Sequence, residues 1–174
     1  MSISRNRTHG ENEYTLNRLP FLKVNEGILD GRSFFESPFG THHNDPNTNQ
    51  AANLALWAEG GWFPAVWLTD PRTRWQAVDD HTAILFVPYA GGEENFIVRF
   101  DSHSDLVDRK EAMRYKAPND KHKVLWITNE VQETNKPSVS YATWLDDGKP
   151  WAALTIEEIH FNLDVVEYLR ARGS

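Results

Sequence analysis

From residue 62 onward, apolar residues recur with a period of two in short runs separated by turn-forming pairs. This pattern predicts strands joined by tight hairpins. The runs 62–69 and 74–78 flank Asp70-Pro71-Arg72-Thr73, and 82–89 and 95–101 flank Ala90-Gly91-Gly92-Glu93-Glu94. A further strand is expected over 124–131. The runs 139–145 and 150–156 flank Asp146-Asp147-Gly148-Lys149, where the Asp-Gly pair is the strongest local hairpin signal. Asp79-Asp80-His81, between two strand runs, reads as a turn. Upstream, extended segments are expected over 21–24 and 28–36, with turn signals at 25–27 and at Asp30-Gly31.

Helical spacing is rarer. Residues 50–59 (QAANLALWAE) suit a short helix, with Thr48 or Asn49 as N-cap and Gly60-Gly61 as the stop. A second helix is expected over 104–116, with Ser102 and Asp105 as a capping box and Pro118 just past its end. A third closes the chain on Leu163, Val166 and Leu169; it starts either at Thr155 or near Asn162. The polar stretch 37–50 (SPFGTHHNDPNTNQ) reads as a long loop, and residues 1–12 as an N-terminal arm. The expected whole is one α+β domain over 13–174. Its sheet is mostly antiparallel and strongly bent, or a partly open barrel, with about three flanking helices. No βαβ alternation supports a doubly wound sheet.

Composition narrows the function classes. The 174 residues contain no cysteine, which excludes a disulfide framework, thiol catalysis and Cys-ligated zinc, and favours a reducing compartment. With no apolar leader near the start and no apolar run long enough to span a bilayer, the expected location is the cytoplasm. A formal charge of −7 opposes wholesale nucleic-acid binding. The charge is uneven, however. Six cations against two carboxylates give 109–123 a net +4, including Arg109, Lys110 and Arg114, so this segment could meet an anionic partner.

Seven tryptophans stand out. Trp62, Trp67 and Trp75 fall in one expected hairpin with Arg72 and Arg74, equipment suited to stacking on a planar base, a sugar or a cation. His42 and His43 of the preceding polar loop could close over such a pocket. This gives a non-catalytic recognition domain with an aromatic-lined pocket and a basic segment. Its partner would be a nucleic acid or base, or an anionic partner such as an acidic protein.

Two alternatives come from other classes. His103-x-Asp105, with His160 downstream and Arg170 ten residues further, resembles the ligand pattern of the Fe(II)/2-oxoglutarate dioxygenases. The resemblance covers these four residues. It implies a ferrous ion held by His103, Asp105 and His160, open positions for substrate and oxygen, and Arg170 on the co-substrate carboxylate. The other alternative is an inhibitor or immunity-type protein acting through its acidic face. The remaining candidate clusters, His42-His43-Asn44-Asp45 and Asp79-Asp80-His81, read most simply as polar turns.

Overall fold

The computed structural model describes the backbone of residues 9–15, 23–131, 139–144 and 150–155, with side chains from 26 to 130. Among the described residues, eleven strands form two antiparallel sheets. The first is a meander of β1 (His9–Thr15), β2 (Lys23–Leu29), β3 (Arg32–Ser37) and β4 (Gly40–His43). Next come helix α1 (Pro46–Ala58), a 3-10 turn (Glu59–Gly61) and helix α2 (Ala65–Thr69). The second sheet contains β5 (Arg74–Asp79), β6 (Thr82–Tyr89), β7 (Gly92–Phe100), β8 (Val107–Arg114), β9 (Val124–Val131), β10 (Val139–Trp144) and β11 (Pro150–Thr155). These pair strictly in chain order. The α+β class holds. Instead of one strongly bent sheet or partly open barrel there are two open sheets, and two helices lie among the described residues. The expected closing helix lies outside them.

The hairpins follow from local chemistry. Asp30-Gly31 and Ala90-Gly91 connect their strands as two-residue loops with both residues at positive φ, the geometry that matches strand twist. Asp80-His81 turns between β5 and β6. Residues 25–27, expected to turn, instead pair within β2.

Three expectations are corrected. The run 62–69 is not a strand: Pro64 cannot donate to a ladder, and the chain coils into α2. Residues 104–116 are not a helix. Helix-forming Arg, Lys, Glu, Ala and Met here fill β8, because pairing with β7 and β9 outweighs weak intrinsic propensity. The polar stretch 37–50 is not one loop: it holds β4 and the first turns of α1. Asp45, not Thr48 or Asn49, is the N-cap, accepting from Thr48 N at 3.0 Å with Pro46 at the first helical position.

The core lies between the second sheet and the helices. Leu85 and Val87 of β6, Phe96 and Val98 of β7, Ala112 of β8 and Trp126 of β9 point inward at alternate positions. They meet Leu54, Trp57 and Trp67. Lys110 occupies an inward position too, opposite Val98 and Thr128, and is 3% exposed. Its Nζ pairs with the equally buried Glu130 and donates to Ala58 O at 2.7 Å, at the carbonyl end of α1. A cation there complements the helix dipole. Burial pushes the Lys110 ammonium below the ordinary lysine value, and Glu130 opposes that push.

Gly60 and Gly61 do more than end the helix. A Cβ on Gly60 would overlap the Trp67 indole, and one on Gly61 would stand 2.6 Å from Lys110 Nζ. Gly60→Ala is therefore expected to cost about 1–3 kcal/mol through overpacking, read as a lower urea midpoint. Lys110→Met leaves Glu130 buried without its cation and should cost roughly 3–5 kcal/mol in the same assay. Lys110→Met with Glu130→Leu should recover most of that loss; a double variant as unstable as the single would refute this account.

Candidate binding site

Besides the core contacts of Leu54, Trp57 and Ala58, polar side chains fasten α1 to its surroundings. Gln50, 2% exposed, donates to Met113 O at 2.9 Å and accepts from Tyr115 N at 3.3 Å. Arg114 Nε donates to Ala51 O at 3.0 Å while its guanidinium lies 4.6 Å over the Trp126 ring. Asn47 donates to Pro118 O and Asp120 O, and Asn53 to Pro88 O. On the side of the first sheet, buried Ser33 bonds Asn49 Oδ1 through its N–H (2.6 Å) and hydroxyl (2.8 Å), and its hydroxyl also meets Thr48.

Ser33 is thus the point where the first sheet is bonded to the helix, and the small residues beside it leave space between the two unfilled. A cavity of about 310 Å³ results, near the lower end for small-molecule sites. Its floor is Ala51, Ala52, Ala55 and Leu56 of α1. Its roof is Gly27 and Ile28 of β2, Phe34 and Phe35 of β3 and His42 of β4. Arg114, Lys116, Ala117 and Pro118 close the end where Arg114 meets Ala51. Two carboxylates also line it, Glu26 on β2 and Glu59 at the far end of the helix. Glu59 is eight residues beyond Ala51, roughly 12 Å along the axis at 1.5 Å per residue.

A second cavity, of about 410 Å³, opens beside α1 between the Asp30-Gly31 and Ala90-Gly91 turns. Asn49, Asn53, Trp57, Arg72 and Tyr89 line it, and it shares Ile28 and Leu56 with the first.

The residues singled out from sequence divide between these cavities, the core and the surface. Trp67 is 2% exposed, and its indole donates to Trp57 O at 2.9 Å. Half-buried Trp75 donates to Trp67 O at 3.2 Å and meets the Trp67 ring edge-on at 6.0 Å. Trp62 is half-buried, and its indole N–H finds no partner among the described residues. Neither cavity includes any of these three rings. Arg72 forms a two-point ion pair with buried Asp70, at 2.9 and 2.7 Å, which raises its pKa further. Arg74 pairs with Glu93 and stacks 3.3 Å over Phe86.

The basic segment is split by the pleat and by partners. Lys110 is interior, Arg109 pairs with Glu111 at 2.8 Å, and Arg114 borders the first cavity. His42 and His43 are exposed on β4, with His42 reaching that cavity too. No sequence signal points to the alanine floor, since alanine in a helix reads only as a good helix former.

His103 and Asp105 sit on the exposed turn between β7 and β8, and His160 and Arg170 lie outside the described residues. Among the described residues no three His, Asp or Glu side chains gather as metal ligands. The expected capping box is not formed. Asp101, not Ser102, organises the turn: its Oδ1 accepts from Ser104 Oγ and N (both 2.9 Å) and from His103 N (3.1 Å). Asp105 takes a left-handed conformation.

Those bonds, the Ser104 hydroxyl first, hold the Asp101 carboxyl below its ordinary value. A depressed folded pKa stabilises the turn above the unfolded value and is lost as pH falls through the folded one. An NMR titration should show Asp101 protonating below the usual aspartate range, with Ser104→Ala moving it upward. An unchanged titration in that variant would contradict the assignment.

No helix among the described residues is long and apolar enough to cross a membrane. No curated protein and no solved structure matches the chain. Residues 20–154 match the model of a family described only as of unknown function, DUF6544. That match covers most of the sequence, so the chain belongs to this family.

Proposed function

We propose that this protein is a non-catalytic recognition domain whose first cavity takes a small molecule with an apolar body and an anionic end. The carrying observation is the asymmetry of that cavity. Its floor is alanine and leucine and its roof includes Phe34 and Phe35, while Arg114 and Lys116 stand together at one end. Burying an apolar body there is favourable at about 25 cal/mol per Å² of surface removed from water. Arg114 is preorganised by its bond to Ala51 O and its seat over Trp126, so little side-chain freedom is lost when an anion arrives. Glu59, at the opposite end, disfavours the reversed orientation. A cysteine-free chain is consistent with work in the cytoplasm.

This reading keeps the anionic partner expected from sequence and moves the hollow. The Trp67 and Trp75 indoles donate to backbone carbonyls and Arg72 and Arg74 pair with carboxylates, while Arg114 and His42 border the first cavity.

Anilinonaphthalene sulfonate, an aromatic anion, should brighten on binding and be displaced by decanoate but far less by decanol. Ala52→Phe, which fills the floor, should abolish the response. Lys116→Ala should weaken it several-fold at low salt and less at high salt, since an exposed cation is screened. Unchanged dye emission at millimolar concentration, or equal displacement by decanol, would sink the proposal.

A further inference from the structure

The two cavities flank the same stretch of α1. At 100° per residue, Ala52 and Ala55 face the first cavity, Asn49 and Asn53 face the second, and Leu56 lies on the boundary between them. Ile28 of β2 lies above that boundary and, like Leu56, borders both spaces. The two cavities therefore meet at two aliphatic residues, Ile28 and Leu56. No charged residue lines both. Leu56 is only half-buried, while Ile28 is 3% exposed, so Leu56 is the side with room to rotate.

From this geometry, and resting on the binding reading above, we infer that the second cavity continues the first. The ligand is then a flexible single-chain carboxylate whose tail passes over Leu56. A path that bends around a helix suits an alkyl chain with free torsions and excludes a rigid planar molecule of the same volume. The head stays beside Arg114 and Lys116. The tail ends against Trp57, Pro88 and Tyr89, the apolar wall of the second space. The Asn53 amide, fixed to Pro88 O at 3.2 Å, and the Gly91-Gly92 backbone are the groups a long tail would approach and a short one would not.

The test compares hexanoate with tetradecanoate, each below its micelle concentration, by ¹⁵N-resolved NMR of the full chain. Both should shift the backbone amides of Ala52 and Ala55. Only tetradecanoate should also shift the Asn53 side-chain amide and the amides of Gly91 and Gly92. Affinity should tighten at least tenfold from decanoate to tetradecanoate, well within the roughly fourfold per methylene that full burial allows. If both acids shift Ala52 and Ala55 and neither reaches Asn53 or Gly92, the continuous path is wrong and the single-cavity reading stands. If neither acid shifts Ala52 or Ala55, the binding reading fails and this inference with it.

Discussion

The ion pair between Lys110 and Glu130 is the constraint on which the arrangement turns. Both side chains lie inside the protein, on inward positions of neighbouring strands, where an uncompensated charge would be costly. Lys110 Nζ meets that demand twice over, with the carboxylate and with the carbonyl of Ala58. The second bond fixes where α1 ends against the sheet. It also fixes the 3-10 turn, because Gly60 and Gly61 must lie close against Trp67 and Lys110. Trp67 is then seated against the Trp57 carbonyl, and Trp75 against Trp67. One buried cation thus sets the C-terminal anchor of the helix whose other faces border both cavities.

At the opposite end the helix is held by amides and hydroxyls. Ser33, Asn47, Gln50 and Asn53 reach backbone or side-chain partners at fixed lengths. Hydrogen bonds set a separation, whereas apolar contact alone would let the layers close until no space remained. The Ser33 bonds, combined with an Ala51, Ala52 and Ala55 floor, leave a hollow between the first sheet and the helix. The tryptophans serve the reverse purpose. The rings of Trp67, Trp75 and Trp126 fill space under the second sheet, and the N–H groups of Trp67 and Trp75 are absorbed by carbonyls.

Much of the second sheet was legible because its information is local. Period-two runs and turn pairs such as Ala90-Gly91 declare strands and hairpins without reference to distant residues. The failures share a cause. The residues of β8 have helical propensity and become a strand only because β7 and β9 flank them, a non-local fact. The run 62–69 carries aromatic and β-branched residues that suggest a strand, while Pro64 within it immediately precedes the helix that forms instead. Asp45-Pro46 is a good helix start hidden in a stretch whose composition suggested a loop. The candidate site was legible only in fragments, as His42 and Arg114. Its floor, roof and closed end come from segments dozens of residues apart, and an absence of bulk leaves no motif.

The strictly sequential strand order also bears on how the chain reaches this state. Every sheet pairing joins strands adjacent in the sequence, so each can zip by extending the hairpin before it, with little loop-closure entropy to overcome. The docking of α1 spans larger separations, 52 residues for Lys110 to Ala58 and 63 for Gln50 to Met113. Docking the helix therefore closes longer loops than any strand pairing does, and the hollow beside it exists only once those loops are closed.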